Sequence, residues 1–184
     1  MSDSSAREKF LPLLRPIERD LEVYARRMLW DQGETRDAIQ NAVLRAFKAF
    51  DRYHEDASFR GWMFRILTNE IFTLNRKHSR RAKFEFQLEP EELAALPGAS
   101  PDGDAMASLS WPEALDDRLV AALHTLPEQE RAVLLLRAIS GLAYDEMAAA
   151  LEIPMGSVMG YLSRARQKMR ATLARTELNR KTKP

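Results

Sequence analysis

Ile39, Val43, Ala46, Phe47 and Phe50 recur at the spacing of one face of an α-helix. The pattern predicts a helix starting near Thr35, with Thr35 as its N-cap and Asp37 in the first turn, where a negative charge favours the helix dipole. The opposite face carries Asp37, Gln40, Asn41, Leu44 and Lys48. A leucine among polar groups fits either an ordinary solvated face or the centre of a partner-binding one.

A second periodic segment follows Ser58, a good N-cap. Phe59, Met63, Ile66 and Leu74 form its expected core stripe. Arg65, Asn69, Phe72 and Arg76 form another stripe, which runs on into Lys77, Arg80, Arg81 and Lys83. Cations, an amide and a ring on one face suit single-stranded nucleic acid: the cations neutralise phosphates, the ring stacks on a base and the amide reads an edge. In the plainer alternative Phe72 is core and the arginines form a solvated face.

The pattern after Thr125 reads as helix, turn, short helix, tight turn and longer helix. Glu128 to Ile139 is expected to be an amphipathic helix ended by Gly141. Tyr144 to Leu151 is a short helix with Met147, Ala148 and Leu151 inward; Pro154 breaks the chain, and a final helix starts near Ser157. Val158, Leu162, Ala165 and Met169 make its core face. Gly160 falls almost opposite them, among Ser163, Arg164 and Gln167, flanked by Met159, Lys168 and Arg170. A short helix, a tight turn and a helix with a basic outer face match a DNA-binding helix-turn-helix, and Arg and Gln are side chains that read base edges. Glycine at that point either lets the backbone approach DNA closely or is an incidental surface residue.

Charge changes this picture. The net charge of the 184 residues is +1, yet eight Lys/Arg and one acid follow Gly160, while seven acids and no Lys/Arg lie between Phe84 and Glu113. That acidic stretch also holds Pro90, Pro97, Pro101, Gly98 and Gly103, the composition of a linker. The reading is an all-α chain of two small helical domains, at 6–82 and 112–176, joined by an acidic linker over 83–111 and ending in a basic tail over 177–184 expected to be disordered. Cysteine is absent and His54, His78 and His124 are scattered, so neither disulfides nor a metal site is expected. No apolar run reaches membrane-spanning length and the N-terminus lacks a hydrophobic signal segment, which favours a cytoplasmic location. No nucleophile, paired carboxylate or phosphate-binding loop argues for an enzyme, and no cofactor is expected.

Three segments carry a resemblance. DAIQNAVLRAFKAFDRY resembles DLVQEVFLRLWRAxDRF, and SFRGWMFRILTNEIFTLNRK resembles xFRTWLYRIAxNLxxDxxRR. LPEQERAVLLLRAISGLAYDEMAAALEIPMGSVMGYLSRARQKMR resembles LPxxxRxVLLLRxxxGLSYxEIAxxLGIPxGTVxSRLxRARxxLR. These are patterns of bacterial RNA polymerase sigma factors of the extracytoplasmic-function (ECF) class. The resemblance covers most of the chain and implies an N-terminal domain that holds core polymerase and reads the minus-ten element. It implies a C-terminal domain that reads the minus-thirty-five element, and an anti-sigma partner. It places Asp37, Gln40 and Asn41 at the polymerase contact, where the helix pattern adds Leu44. It places Arg65, Asn69, Thr73, Arg76 and Lys77 on the minus-ten helix, to which the stripe adds Phe72, Arg80 and Arg81. It places Met159, Gly160, Tyr161, Ser163 and Arg164 on the minus-thirty-five helix, where the outer face adds Gln167 and Lys168.

The chain departs from these patterns at several positions: Asn41 replaces Glu, Thr73 replaces Asp, Ala143 replaces a capping Ser, Glu152 replaces a turn Gly, and Gly160-Tyr161 replaces Ser-Arg. Two other functions compete with transcription initiation. One is a helix-turn-helix regulator that acts without polymerase, which predicts dimerisation and needs no melting domain. The other is a sigma mimic that sequesters an anti-sigma protein, which predicts a degraded DNA face.

Overall fold

The computed structural model describes residues 3–54, 58–86 and 117–181, which fall into two compact helical units. The first contains α1 (Asp3–Leu14), α2 (Glu18–Met28), α3 (Thr35–Lys48) and α4 (Phe59–Phe86). The second contains α5 (Asp117–His124), α6 (Glu128–Leu135), α7 (Tyr144–Leu151) and α8 (Met155–Lys181). No strand occurs among the described residues.

In the first unit, α3 packs on α4 through Ala38, Ala42 and Ala46, all fully buried. Three alanines at intervals of four let the two backbones approach closely. The larger Ile39, Val43 and Phe47 are only half-buried and line an open groove with Phe10, Leu11 and Leu14 of α1. The expected core face is therefore correct at Ala46 and at Phe50, which lies in the 3-10 turn after α3, but within the helix it is otherwise rotated toward the alanines.

The predicted stripe of α4 needs a similar correction. Phe59 and Met63 are buried, whereas Ile66 and Leu74 are half-buried; Phe64, Leu67 and Ile71 fill the core instead. The helix packs against both α2 and α3, so its buried arc is about half the circumference rather than one narrow line. Ser58 caps α4 as predicted, accepting from the Gly61 N–H at 3.1 Å. Thr35 does not cap α3. A 3-10 turn at Gln32–Glu34 precedes the helix, and the Thr35 hydroxyl donates to the Gln32 carbonyl at 2.7 Å.

Two buried hydroxyls of this unit satisfy one another and the backbone. Thr68 donates to the Phe64 carbonyl at 2.7 Å and lies 2.9 Å from the Tyr24 hydroxyl, so Tyr24 is the donor in that pair. Phe10 meets Phe47, Phe50 and Phe59 edge-on at ring distances of 5.2–5.6 Å, tying α1 to α3 and to the start of α4.

In the second unit the predicted face of α8 is observed: Val158, Leu162, Ala165 and Met169 are all buried. Met147 and Leu151 of α7 also point inward as expected, but Ala150 takes the buried place assigned to Ala148, which is half-buried. The helix expected over 128–139 is α6 followed by a π-helical turn, Leu136–Ser140. It is buried on all sides from Glu130 to Leu136 rather than amphipathic, and α8 packs along it. Within the turn the Ser140 hydroxyl donates to the Leu136 carbonyl. Gly141 ends this segment at φ +65°, the left-handed conformation that favours glycine.

Two boundaries differ from expectation. α8 begins at Met155, ahead of Ser157, since the Pro154 carbonyl already accepts from Ser157 and Val158 N–H. It also continues to Lys181, past the expected boundary at 176, because no glycine or proline interrupts the chain there. Residues 83–86 of the expected linker belong to α4; its remainder, 87–111, and residues 182–184 of the tail lie outside the described residues.

Candidate nucleic-acid interface

On α3, Asp37, Gln40, Asn41 and Leu44 are exposed together, and Leu44 keeps 52% of its surface accessible. Gln40 and Leu44 also stand at the groove between α1 and α3. Beneath this face lies a group that sequence reasoning missed, the buried Glu70 of α4. Its carboxylate accepts from Asn41 Nδ2 at 3.3 Å and pairs with Arg45 Nη1 at 2.9 Å. Where the related pattern has a Glu on α3 and a Leu on α4, this chain has Asn41 and Glu70. The carboxylate that meets Asn41 and Arg45 at this face thus comes from α4.

On α4, Arg65, Asn69, Thr73, Arg76, Lys77 and Arg80 are exposed and Phe72 is half-buried. The predicted outer stripe is thus one continuous surface, with the Phe72 ring partly accessible within it. The side chain of Arg81 lies outside the described residues. Backbone carbonyls steady this face: Thr73 donates to the Asn69 carbonyl at 2.8 Å, and Arg76 Nε to the Phe72 carbonyl at 3.1 Å.

In the second unit α7, a tight turn and α8 form a helix-turn-helix. Glu152 occupies the turn at φ 56°, ψ 41°, a left-handed conformation that glycine adopts at lower cost. Ala143 stands at the N-cap of α7 with no side-chain acceptor to offer; only the reciprocal bond is made, from Ala143 N–H to the Glu146 carboxylate at 2.8 Å.

The outer face of α8 carries exposed Met159 and Gln167, with Gly160, Tyr161, Ser163, Arg164 and Lys168 half-buried. Arg164 and Lys168 are drawn together by a second acid absent from the sequence reading, Glu130 of α6. Arg164 Nε donates to its Oε1 at 3.2 Å, and Lys168 Nζ lies 3.1 Å from Oε1 and 2.9 Å from Oε2. The Arg164 guanidinium also lies over the Tyr161 ring, 4.9 Å from its centroid. No local signal in the sequence points to Glu130 or Glu70, because each meets its partners across a helix–helix contact. Among the described residues no cluster suited to a metal ion occurs, and no helix is long and apolar enough to cross a membrane.

Comparison with known proteins agrees with this arrangement. The family Sigma-70 region 2 matches residues 13–81, and the family Sigma-70, region 4 matches residues 116–169. The chain is 30% identical over 173 residues to the ECF RNA polymerase sigma factor SigE of Mycolicibacterium smegmatis, covering 94% of this chain and 65% of that one, just under two thirds of its length. It is 29% identical over 137 residues to the ECF RNA polymerase sigma-E factor of Escherichia coli, covering 73% and 71% of the two chains. Among solved structures, the sigma factor RpoE in complex with the anti-sigma factor NepR from Bartonella quintana shares the fold, with a TM-score of 0.66 at 22% identity over 91% of this chain and 96% of that one. CnrH in complex with the cytosolic domain of CnrY gives a TM-score of 0.65 at 26% identity over 94% of each chain. With region 2 on the first helical unit and region 4 on the second, in that order and together spanning most of the chain, the chain belongs to the sigma-70 family, and the relatives it matches are ECF sigma factors.

Proposed function

We propose that this chain is a dissociable specificity subunit of RNA polymerase that directs promoter recognition and transcription initiation, with no catalytic step of its own. One observation carries the reading. A region 2 match and a region 4 match follow one another on two helical units, and each unit keeps an outward helix face rich in cations and amides. Asp37, Gln40, Asn41 and Leu44 then form part of the polymerase-binding surface. Arg65, Asn69, Phe72, Thr73, Arg76, Lys77, Arg80 and Arg81 serve the opened minus-ten strand, where cations meet phosphates and Phe72 meets a base. Met159, Gly160, Tyr161, Ser163, Arg164, Gln167 and Lys168 serve the minus-thirty-five duplex. The place of action is the cytoplasm, with the polymerase, and an anti-sigma protein is the expected regulator, as NepR is in the solved RpoE complex.

Run-off transcription with purified core polymerase, followed by genome-wide mapping of start sites, tests this reading. The expected result is initiation at a discrete set of promoters only when the protein is added. Sequence-specific duplex binding by the protein alone, with no initiation, would replace it with a polymerase-independent regulator.

A further inference from the structure

We infer that Glu130 is a positioning residue for promoter readout: it holds the Arg164 guanidinium in one orientation on the outer face of α8. The inference rests on the proposed role of that face. Glu130 is only 4% exposed and is fixed within α6, whereas Arg164 and Lys168 project from α8. One buried carboxylate thus neutralises two cations on the DNA-facing helix.

The geometry divides the guanidinium into a held edge and a presented edge. Nε is committed to Glu130 at 3.2 Å. The plane rests on Tyr161, 4.9 Å from the ring centroid. Nη1 and Nη2 make no hydrogen bond among the described residues and lie beside Gly160, where a β-carbon would sit 3.3 Å from Nη1 and 3.9 Å from Nη2. An arginine whose terminal nitrogens form the open edge presents two parallel donors. That edge matches O6 and N7 of a guanine in the major groove. An anchored side chain also loses less rotamer freedom on binding than a free one, so the support sharpens base preference as well as affinity. Gly160 and Tyr161 belong to the same device: the glycine leaves space for the guanidinium and the ring supports it.

The test uses the full chain assembled with core polymerase and a set of duplex promoters in which each base pair of the minus-thirty-five element is varied in turn. Arg164→Ala is expected to erase the preference for a G·C pair at one position, a loss of roughly 5- to 150-fold in discrimination. Glu130→Gln, which removes the charge and keeps the shape, should flatten that same position and leave the others unchanged. The double variant should look like Arg164→Ala alone. Should Glu130→Gln unfold, Tyr161→Leu on the exposed face replaces it, with the same single position expected to flatten.

The inference is overturned if Glu130→Gln lowers binding to all sequences alike, or if it leaves the Arg164-dependent position intact. It is equally overturned if Arg164→Ala weakens every sequence uniformly, as loss of a phosphate contact would. In each of those cases polymerase-dependent initiation by the parent chain would persist, so the proposed function would stand. Absence of initiation by the parent chain would remove both.

Discussion

Asn75 of α4 donates from Nδ2 to the Met28 carbonyl at 3.1 Å, at the end of α2. Its Oδ1 accepts the Trp30 N–H at 3.2 Å just beyond that end. One buried amide therefore satisfies two backbone groups that the terminus of α2 would otherwise leave open.

Replacing Asn75 by Ala should cost roughly 1–3 kcal/mol, since the carbonyl loses its partner inside the core. Calorimetry should show the transition of the first unit falling by several degrees with that of the second unchanged. An unchanged transition would show that water replaces the amide at no cost.

The Glu70 arrangement makes a sign prediction. Asn41→Glu alone restores the residue of the related pattern but sets a second carboxylate against the buried Glu70, 3.3 Å from the present amide. It should destabilise the first unit by roughly 1–3 kcal/mol. Adding Glu70→Leu removes the clash and should recover stability, because the introduced carboxylate then lies four residues before Arg45 on α3 and can pair with it. Urea unfolding of the two variants checks this, and additive losses would exclude the exchange of roles.

In the second unit, Ala143→Ser should stabilise. The N-cap backbone is already extended, at φ −68° and ψ 163°, and the reciprocal bond from Glu146 is in place. A serine hydroxyl completes the capping box and adds about 1 kcal/mol. The melting transition of the unit should rise by several degrees.

Glu152→Gly should also raise that transition, for a different reason. Relief of the left-handed conformation outweighs the extra chain entropy of glycine by about 0.5–1 kcal/mol. A fall in melting temperature would mean that the Glu152 side chain contributes more than its backbone costs.

How much was legible in the sequence depended on how wide an arc each helix buries. Val158, Leu162, Ala165 and Met169 were legible because, although three helices pack on α8, its buried residues fall on one narrow helical stripe. The core of α4 was not, because packing against two helices widens the buried arc and lets Phe64, Leu67 and Ile71 share it with Phe59 and Met63. Its polar stripe survived because it lies opposite that whole arc. Ser58 and Gly141 were readable, since a cap is a local event. Glu70, Asn75 and Glu130 were not: each is a polar residue whose partners are separated from it by 25 or more positions, and helical periodicity carries no information about such pairs.

Gly160 brings the local and long-range arguments together. Its conformation is ordinary helix, so Gly160→Ala should gain helix propensity, up to about 1 kcal/mol. The new methyl would meet Arg164 Nη1 at 3.3 Å, and the flexible end of that side chain can shift by the few tenths of an ångström required. Gly160→Ala should therefore melt higher and bind its promoter slightly less well. Gly160→Leu should bind clearly less well, because the larger side chain pushes the guanidinium off Tyr161. Two reasons for that loss are separable. If the glycine serves Arg164, then Gly160→Leu should cost nothing further once Arg164 is Ala. If the glycine instead admits the DNA backbone close to α8, the loss should persist in the Arg164→Ala chain. Thermal unfolding beside promoter titrations of the single and double variants at one salt concentration measures both quantities, and the expected result is the first. Binding by Gly160→Leu equal to that of the parent would show that the glycine serves neither.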